Sequence, residues 1–284
     1  MTQHRVRWMF HTTAMVRDYD AARNALMSLF GQRILEDTWI DNPHIARRGG
    51  MTWIGDNSLE LGQPIIEGAG PDRFVARHGP GMHSIALQVE DLAATIAHSE
   101  QIGVRIIAVS DTVAFCHPKD TGGVFIEWYS GDTEIDPRFG GPMPPAGEHA
   151  LDVERMAFAG AIVADPIGLA PKLAELFGTD VAFSRGEVDA AEPAAGVSLA
   201  DNMLALYRMP GERSNALWGV EHREPKVHVL ALTVKDTAEA TAILAAEGVG
   251  AVRTDRHTVV VSPACTGHVP VLLTDELLPG DPRS

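Results

Sequence analysis

Four sequence blocks occur twice in the same order and at nearly the same spacing, and this limits the fold more than any other feature of the chain. Val16-Arg17-Asp18, with a helix ending Leu29-Phe30-Gly31, returns 147 positions on as Val163-Ala164-Asp165, with a helix ending Leu176-Phe177-Gly178. Asp56-Asn57-Ser58-Leu59-Glu60-Leu61 returns as Asp201-Asn202-Met203-Leu204-Ala205-Leu206 at an offset of 145, two residues fewer. The same 145 aligns His83-Ser84-Ile85-Ala86-Leu87-Gln88-Val89-Glu90-Asp91 with His228-Val229-Leu230-Ala231-Leu232-Thr233-Val234-Lys235-Asp236. It also aligns Thr121-Gly122-Gly123-Val124 with Thr266-Gly267-His268-Val269. One domain has been duplicated in tandem.

Within each copy the pattern reads strand, helix, then several strands, performed twice. Asp18, Asp91, Asp165 and Asp236 stand where an N-cap carboxylate accepts from the first-turn amides, and Pro166 suits the first helical position. Ala22, Leu26 and Leu29 hold core spacing, as do Leu92 and Ile96, and Gly31 and Gly103 supply left-handed stops. Asn57 to Leu61, Met82 to Val89 and Val124 to Tyr129 read as strands. The expected class is α+β, two βαβββ units per copy. Residues 1–130 form the first domain, 131–154 a Pro- and Gly-rich linker around Gly140-Gly141-Pro142-Met143-Pro144-Pro145, and 155–284 the second domain.

The 284 residues suffice for two cores, and a net charge of −15 without a basic run argues against nucleic acid as a partner. No apolar run approaches the roughly 20 residues that span a bilayer, and the N-terminus lacks a signal-type core, so a cytoplasmic protein without membrane partners is expected. Cys116 and Cys265 read as reduced thiols.

His11, Glu60, His83 and Glu127 each fall on a different strand of the first copy. Side chains alternate along a strand, so Leu59 and Leu61 can face the helices while Glu60 opposes them, and Ile126 and Trp128 can do so while Glu127 opposes them. A carboxylate among apolar neighbours is expensive to bury alone, and a cation shared with imidazoles would satisfy it. The second copy is an internal control: its aligned residues are Phe158, Ala205, His228 and Leu272, three of which cannot coordinate a metal. The four first-copy residues are therefore candidate ligands of one divalent ion, open to substrate oxygens, and the second copy lacks a complete metal site.

These residues resemble the vicinal oxygen chelate superfamily, the fold of glyoxalase I, methylmalonyl-CoA epimerase and the extradiol dioxygenases. The first half is most similar to the epimerase, through Asn57-Ser58-Leu59-Glu60-Leu61 with Gln63-Pro64, through Phe74-Val75-Ala76-Arg77-His78-Gly79-Pro80-Gly81-Met82-His83, and through the run from Phe115 to Glu127. The likeness covers roughly residues 7 to 130 and is a fold-level echo over 155 to 274. It departs at Ser84, where the epimerase pattern has a second histidine, and in being two-copy. The resemblance implies tandem domains, each a curved mixed sheet around a metal cavity, with His11, Glu60, His83 and Glu127 as ligands of Zn, Ni, Co or Mn.

The expected chemistry is stabilisation of the enolate of a small oxygen-chelating substrate, with the metal as Lewis acid and Glu60 or Glu127 as the base, in an epimerase, isomerase or lyase. His117 and Lys119 are candidate substrate contacts, and Arg47 and Arg48 could clamp a carboxylate. A second reading takes His11, His83 and Glu127 as a face for Fe(II) in an extradiol-type dioxygenase, although the familiar two-copy dioxygenases keep their metal in the second copy. A third is a non-catalytic protein that sequesters a small molecule between the copies, stacking it on Trp39, Trp53 and Trp128. A homodimer fits any of them.

Overall fold

The computed structural model describes residues 5–42, 46–132, 134, 136–186, 188–189, 191–209, 218 and 224–284, with the backbone alone over 37–42. In the first copy β1 (Val6–Met15), α1 (Tyr19–Phe30), β2 (Arg33–Asn42), β3 (Arg47–Ile54) and β4 (Asn57–Pro64) form one unit. After α2 (Gly70–His78), a second follows: β5 (Gly81–Val89), α3 (Leu92–Gln101), β6 (Ile106–Val109), β7 (Val113–Cys116) and β8 (Ile126–Tyr129). The second copy repeats the plan with β9 (Arg155–Val163), α4 (Pro166–Phe177), β10 (Val181–Ser184), β11 (Ala195–Ser198) and β12 (Met203–Arg208). It closes with β13 (Lys226–Thr233), α5 (Thr237–Ala246), β14 (Ala251–Arg253), β15 (Thr258–Val261) and β16 (Val271–Thr274).

Each copy is thus two βαβββ units in one mixed eight-stranded sheet. The orders are β2-β3-β4-β1-β5-β8-β7-β6 and β10-β11-β12-β9-β13-β16-β15-β14, identical after renumbering. In both, the two units meet at an antiparallel central pair flanked by parallel neighbours. Local chemistry fixes the helix ends: the four aspartates accept from first-turn amides, and α1 and α4 stop at Gly31 and Gly178, whose φ values of 63° and 65° favour glycine. Among the described residues no helix is long and apolar enough to cross a membrane.

The helix-bearing faces of the two sheets share one apolar core. Leu26, Leu59, Ile126 and Trp128 of the first copy and Leu173, Phe177, Leu204 and Leu273 of the second belong to it, with Trp128 meeting Phe177 edge-on at 6.0 Å. Burying each such side chain stabilises by about 1.5–3 kcal/mol, so neither half stands apart from the other.

A pseudo-symmetric set of polar staples ties the halves. Asp201 Oδ1 accepts from Met9 N at 2.8 Å, and Asp56 Oδ1 accepts from Met156 N at the same distance. Burial pushes the Asp201 carboxyl up to about 6. The motif Asp136-Pro137-Arg138 recurs as Asp281-Pro282-Arg283. Arg138 donates to the Met9 carbonyl at 2.9 Å and Arg283 to the Met156 carbonyl at 2.8 Å, each also held by its own aspartate.

Candidate functional site

The register that makes the first sheet also assembles the site, because β4, β1, β5 and β8 are adjacent. Glu60 on β4 lies opposite Thr13, and across the next two ladders His11 faces Ala86, which faces Glu127. Ala86 is the small residue in that row, so the side chains on either side can approach over it. His83 is the extra residue of a β-bulge, since Ser84 pairs with Thr13 and Met82 with Ala14. A bulge re-aims its side chain, and the His83 ring turns edge-on to Phe74 at 4.6 Å and to Phe125 at 5.0 Å. Its Nδ1 is 3.0 Å from the Ser84 hydroxyl, a contact that fixes the ring.

Three of the four groups are buried together: His11 is 4% exposed, Glu60 2% and Glu127 8%. His11 Nε2 is 3.5 Å from Glu60 and 4.0 Å from Glu127, and among the described residues neither His11 ring nitrogen has a hydrogen-bond partner. Glu60 accepts from the Thr13 hydroxyl at 2.8 Å, and its other oxygen is bound by the Arg47 guanidinium. The Arg47 side chain reaches it over Gly62, where an added Cβ would lie 2.8 Å from Arg47 Cδ.

The charges follow from these contacts. Burial opposes ionisation of Glu60, but Arg47, His11 and Thr13 override it and hold the carboxyl well below the usual range. Burial raises the Glu127 carboxyl, and His11 and Arg47 offset this only in part. Burial, with Arg47 next, lowers His83 to about 3, so its imidazole is neutral at physiological pH.

The donor chemistry suits a divalent cation, with a neutral imidazole, two buried carboxylates and a buried imidazole whose nitrogens lack partners. Among the described residues, however, no three His, Cys, Asp or Glu side chains are gathered into a closed ligand cage. Arg47 already gives Glu60 a positive partner, so a metal ion would compete with a guanidinium for that carboxylate.

The other sequence candidates part company. Arg47 is at the site, whereas Arg48 pairs with Asp20 at 2.9 Å and sits over the Tyr19 ring, on α1. His117 and Lys119 line a cavity of about 1080 Å³ between α2 and the second copy, and His83 opens onto it. The Trp39 side chain lies outside the described residues. Trp53 and Trp128 offer no stacking platform between the copies: Trp53 is buried and donates to the Gly55 carbonyl, and Trp128 lies in the shared core because it alternates with Glu127. Sequence reading passed over Thr13 and Lys226. A lysine opening the apolar run Val227-His228-Val229-Leu230 was the available signal for Lys226.

At equivalent positions the second copy is apolar, and Phe158 and Leu272 also line a smaller cavity of about 290 Å³. Phe158, Ala205 and Leu272 belong to an apolar cluster with Tyr207 and Trp218, and Trp218 lies edge-on to the buried His228 at 4.4 Å.

Residues 10–116 match the model of the Glyoxalase/Bleomycin resistance protein/Dioxygenase superfamily, and no curated protein matches the chain. Among solved structures, methylmalonyl-CoA epimerase from Mycobacterium tuberculosis is 25% identical, with 48% of this chain and 95% of that chain covered and a TM-score of 0.42. A triple mutant of 4-hydroxymandelate synthase from Streptomyces coelicolor is 15% identical, with 97% of this chain and 95% of that chain covered and a TM-score of 0.70. A fusion protein of a xylose isomerase-like TIM barrel and 4-hydroxyphenylpyruvate dioxygenase is 13% identical, with 95% of this chain and 49% of that chain covered and a TM-score of 0.61. The last two likenesses run through both copies and carry the tandem fold alone.

Proposed function

We propose, the first half being a vicinal oxygen chelate domain of the glyoxalase/bleomycin resistance/dioxygenase superfamily, that it is a divalent-metal-dependent enzyme. It acts on a small substrate with neighbouring oxygens and stabilises its enolate, as an epimerase, isomerase or lyase of the cytoplasm. The observation that carries this reading is His11, buried between two buried carboxylates at 3.5 and 4.0 Å and, among the described residues, without a hydrogen-bond partner.

His11, Glu60, His83 and Glu127 would hold the ion, with Zn, Ni, Co or Mn as candidates. When bound, it supplies Lewis acidity to a substrate carbonyl, which acidifies the adjacent carbon. The protein's own groups divide the remaining work. Glu60, paired with Arg47, stays ionised and carries fixed negative charge. Glu127 has no guanidinium of its own and a raised carboxyl, so it is the group that takes a proton from carbon and returns it. Arg47 is the cation available to an incoming carboxylate once Glu60 is engaged elsewhere.

Plasma mass spectrometry of the purified protein, paired with an oxygen electrode on catechols, tests this. About one Zn, Ni, Co or Mn per chain is expected, lost in His11→Ala, with no oxygen uptake. Iron with oxygen consumption would move the chain to ring-cleaving chemistry, and a metal content that ignores His11→Ala would sink the metal reading in favour of a small-molecule binder.

A further inference from the structure

Taking the first-copy site as the chemical centre, we propose that the large cavity beside it recognises a carboxylate or phosphate group on the substrate's far end. Lys226 of the second copy is its anchor.

The cavity runs counter to the rest of the molecule. The chain carries 38 acidic residues against 23 Lys and Arg, yet five Lys and Arg line this cavity and only two carboxylates do. Both carboxylates are engaged, Glu224 by Arg77 and Asp165 by the first turn of α4. A local positive well in an acidic surface focuses small anions into itself.

Lys226 distinguishes a built site from a scatter of surface charge. Its side chain is buried, the residue being 8% exposed. Among the described residues no carboxylate pairs with it. Among those residues its ammonium has the His78 carbonyl, at a long 3.5 Å, and the face of Phe74, 5.8 Å from the ring centroid. An ammonium held this way is costly to bury, and an anion bound beside it would offset that cost. Burial alone lowers it to about 8, so it is still largely charged at neutral pH. The repeat makes the point again, since the aligned residue of the first copy is Gly81 and the scaffold itself does not require a lysine here.

Phe74 joins this anchor to the chemical site. One ring touches His83 at 4.6 Å and faces Lys226 at 5.8 Å, so both ends of one small molecule could be reached from it. Phe125, Ile107 and Leu169 line the same cavity and suit an apolar body. A volume of about 1080 Å³ accommodates such a molecule. The second copy, without its own donor set, thereby contributes the substrate's charge recognition.

Calorimetric titration with inorganic phosphate and with succinate tests this. The buffer is of low ionic strength and passed over a chelating resin, because a dissolved chelator's carboxylates would compete. At least one anion should bind the wild type, Lys226→Met should weaken it about 30-fold or more, Lys226→Arg should recover most of it, and exposed Lys235→Met should change nothing. Tighter phosphate would indicate a phosphoester and tighter succinate a carboxylic acid. Lys226→Met removes an uncompensated buried charge, so its unliganded thermal midpoint should match or exceed the wild type. No heat with either anion, or equal affinity in Lys226→Met, would overturn the assignment. The titration is metal-free, so it can fail while the metal content stands, and the reverse.

Discussion

At Thr13 and Glu60 the first sheet sets a hydroxyl on a carboxylate, and at the equivalent pair, Gly160 and Ala205, the second sheet sets nothing polar at all. The backbone register is the same, so the difference lies in side chains alone. Gly62 leaves room for Arg47 in the first copy, while its counterpart Tyr207 fills that volume in the second, packing with Val229 into the space over Gly160. His11 becomes Phe158 and Glu127 becomes Leu272, and the polar cup turns into a core. An apolar interior is the cheaper solution for such a face, so the polar version carries a cost that the proposed chemistry would account for.

Three experiments press on this contrast. The largest effect should come from Glu127→Gln, which should lower turnover by about 10²–10⁴-fold with the unfolding curve little moved, whereas His228→Ala should leave turnover near normal. Equal losses from the two would erase the division of labour. Next, Ala205→Glu places a carboxylate in the buried apolar face without Thr13 or Arg47 to meet it, and should cost about 3 kcal/mol in urea unfolding. A smaller effect is expected from Arg47→Met, read as the sign of a slope. In the wild type the Glu60 carboxyl is depressed, so its stabilisation is present above the ordinary carboxylate range and fades as pH falls below about 4.5. Without Arg47, burial would raise the carboxyl, and that contribution would instead be lost as pH rises above about 4.5. Compared at each pH from 4 to 7, the unfolding free energy of the wild type minus that of the variant should therefore grow, and a gap that stays constant would sink the pairing.

The repeat was legible because strand and helix signals are local: aspartate caps, glycine stops and alternating apolar residues stand in the sequence wherever they act. Glu60 and Glu127 stood out for the same reason, as acids inside apolar strands. What escaped was decided between distant strands. The pairing of Arg47 with Glu60 depends on Gly62 offering no side chain, and the turn of His83 toward Phe74 depends on a bulge that appears only once β5 meets β1. The two Asp-Pro-Arg motifs were in plain view, but one lay in a stretch rich in turn residues and the other at the tail, so their common task on β1 and β9 became evident only in three dimensions.

The crossed staples have a consequence for how such a chain can change over time. The amide of Met9 is answered by Asp201 and that of Met156 by Asp56, so each copy's first strand is completed by the other copy's turn. A duplicate that lacks the polar set of the other is therefore not at liberty to decay. Substitutions at its inner face can accumulate as long as the face stays apolar, but its turns answer to the neighbour's strand, and selection on the first copy reaches them directly.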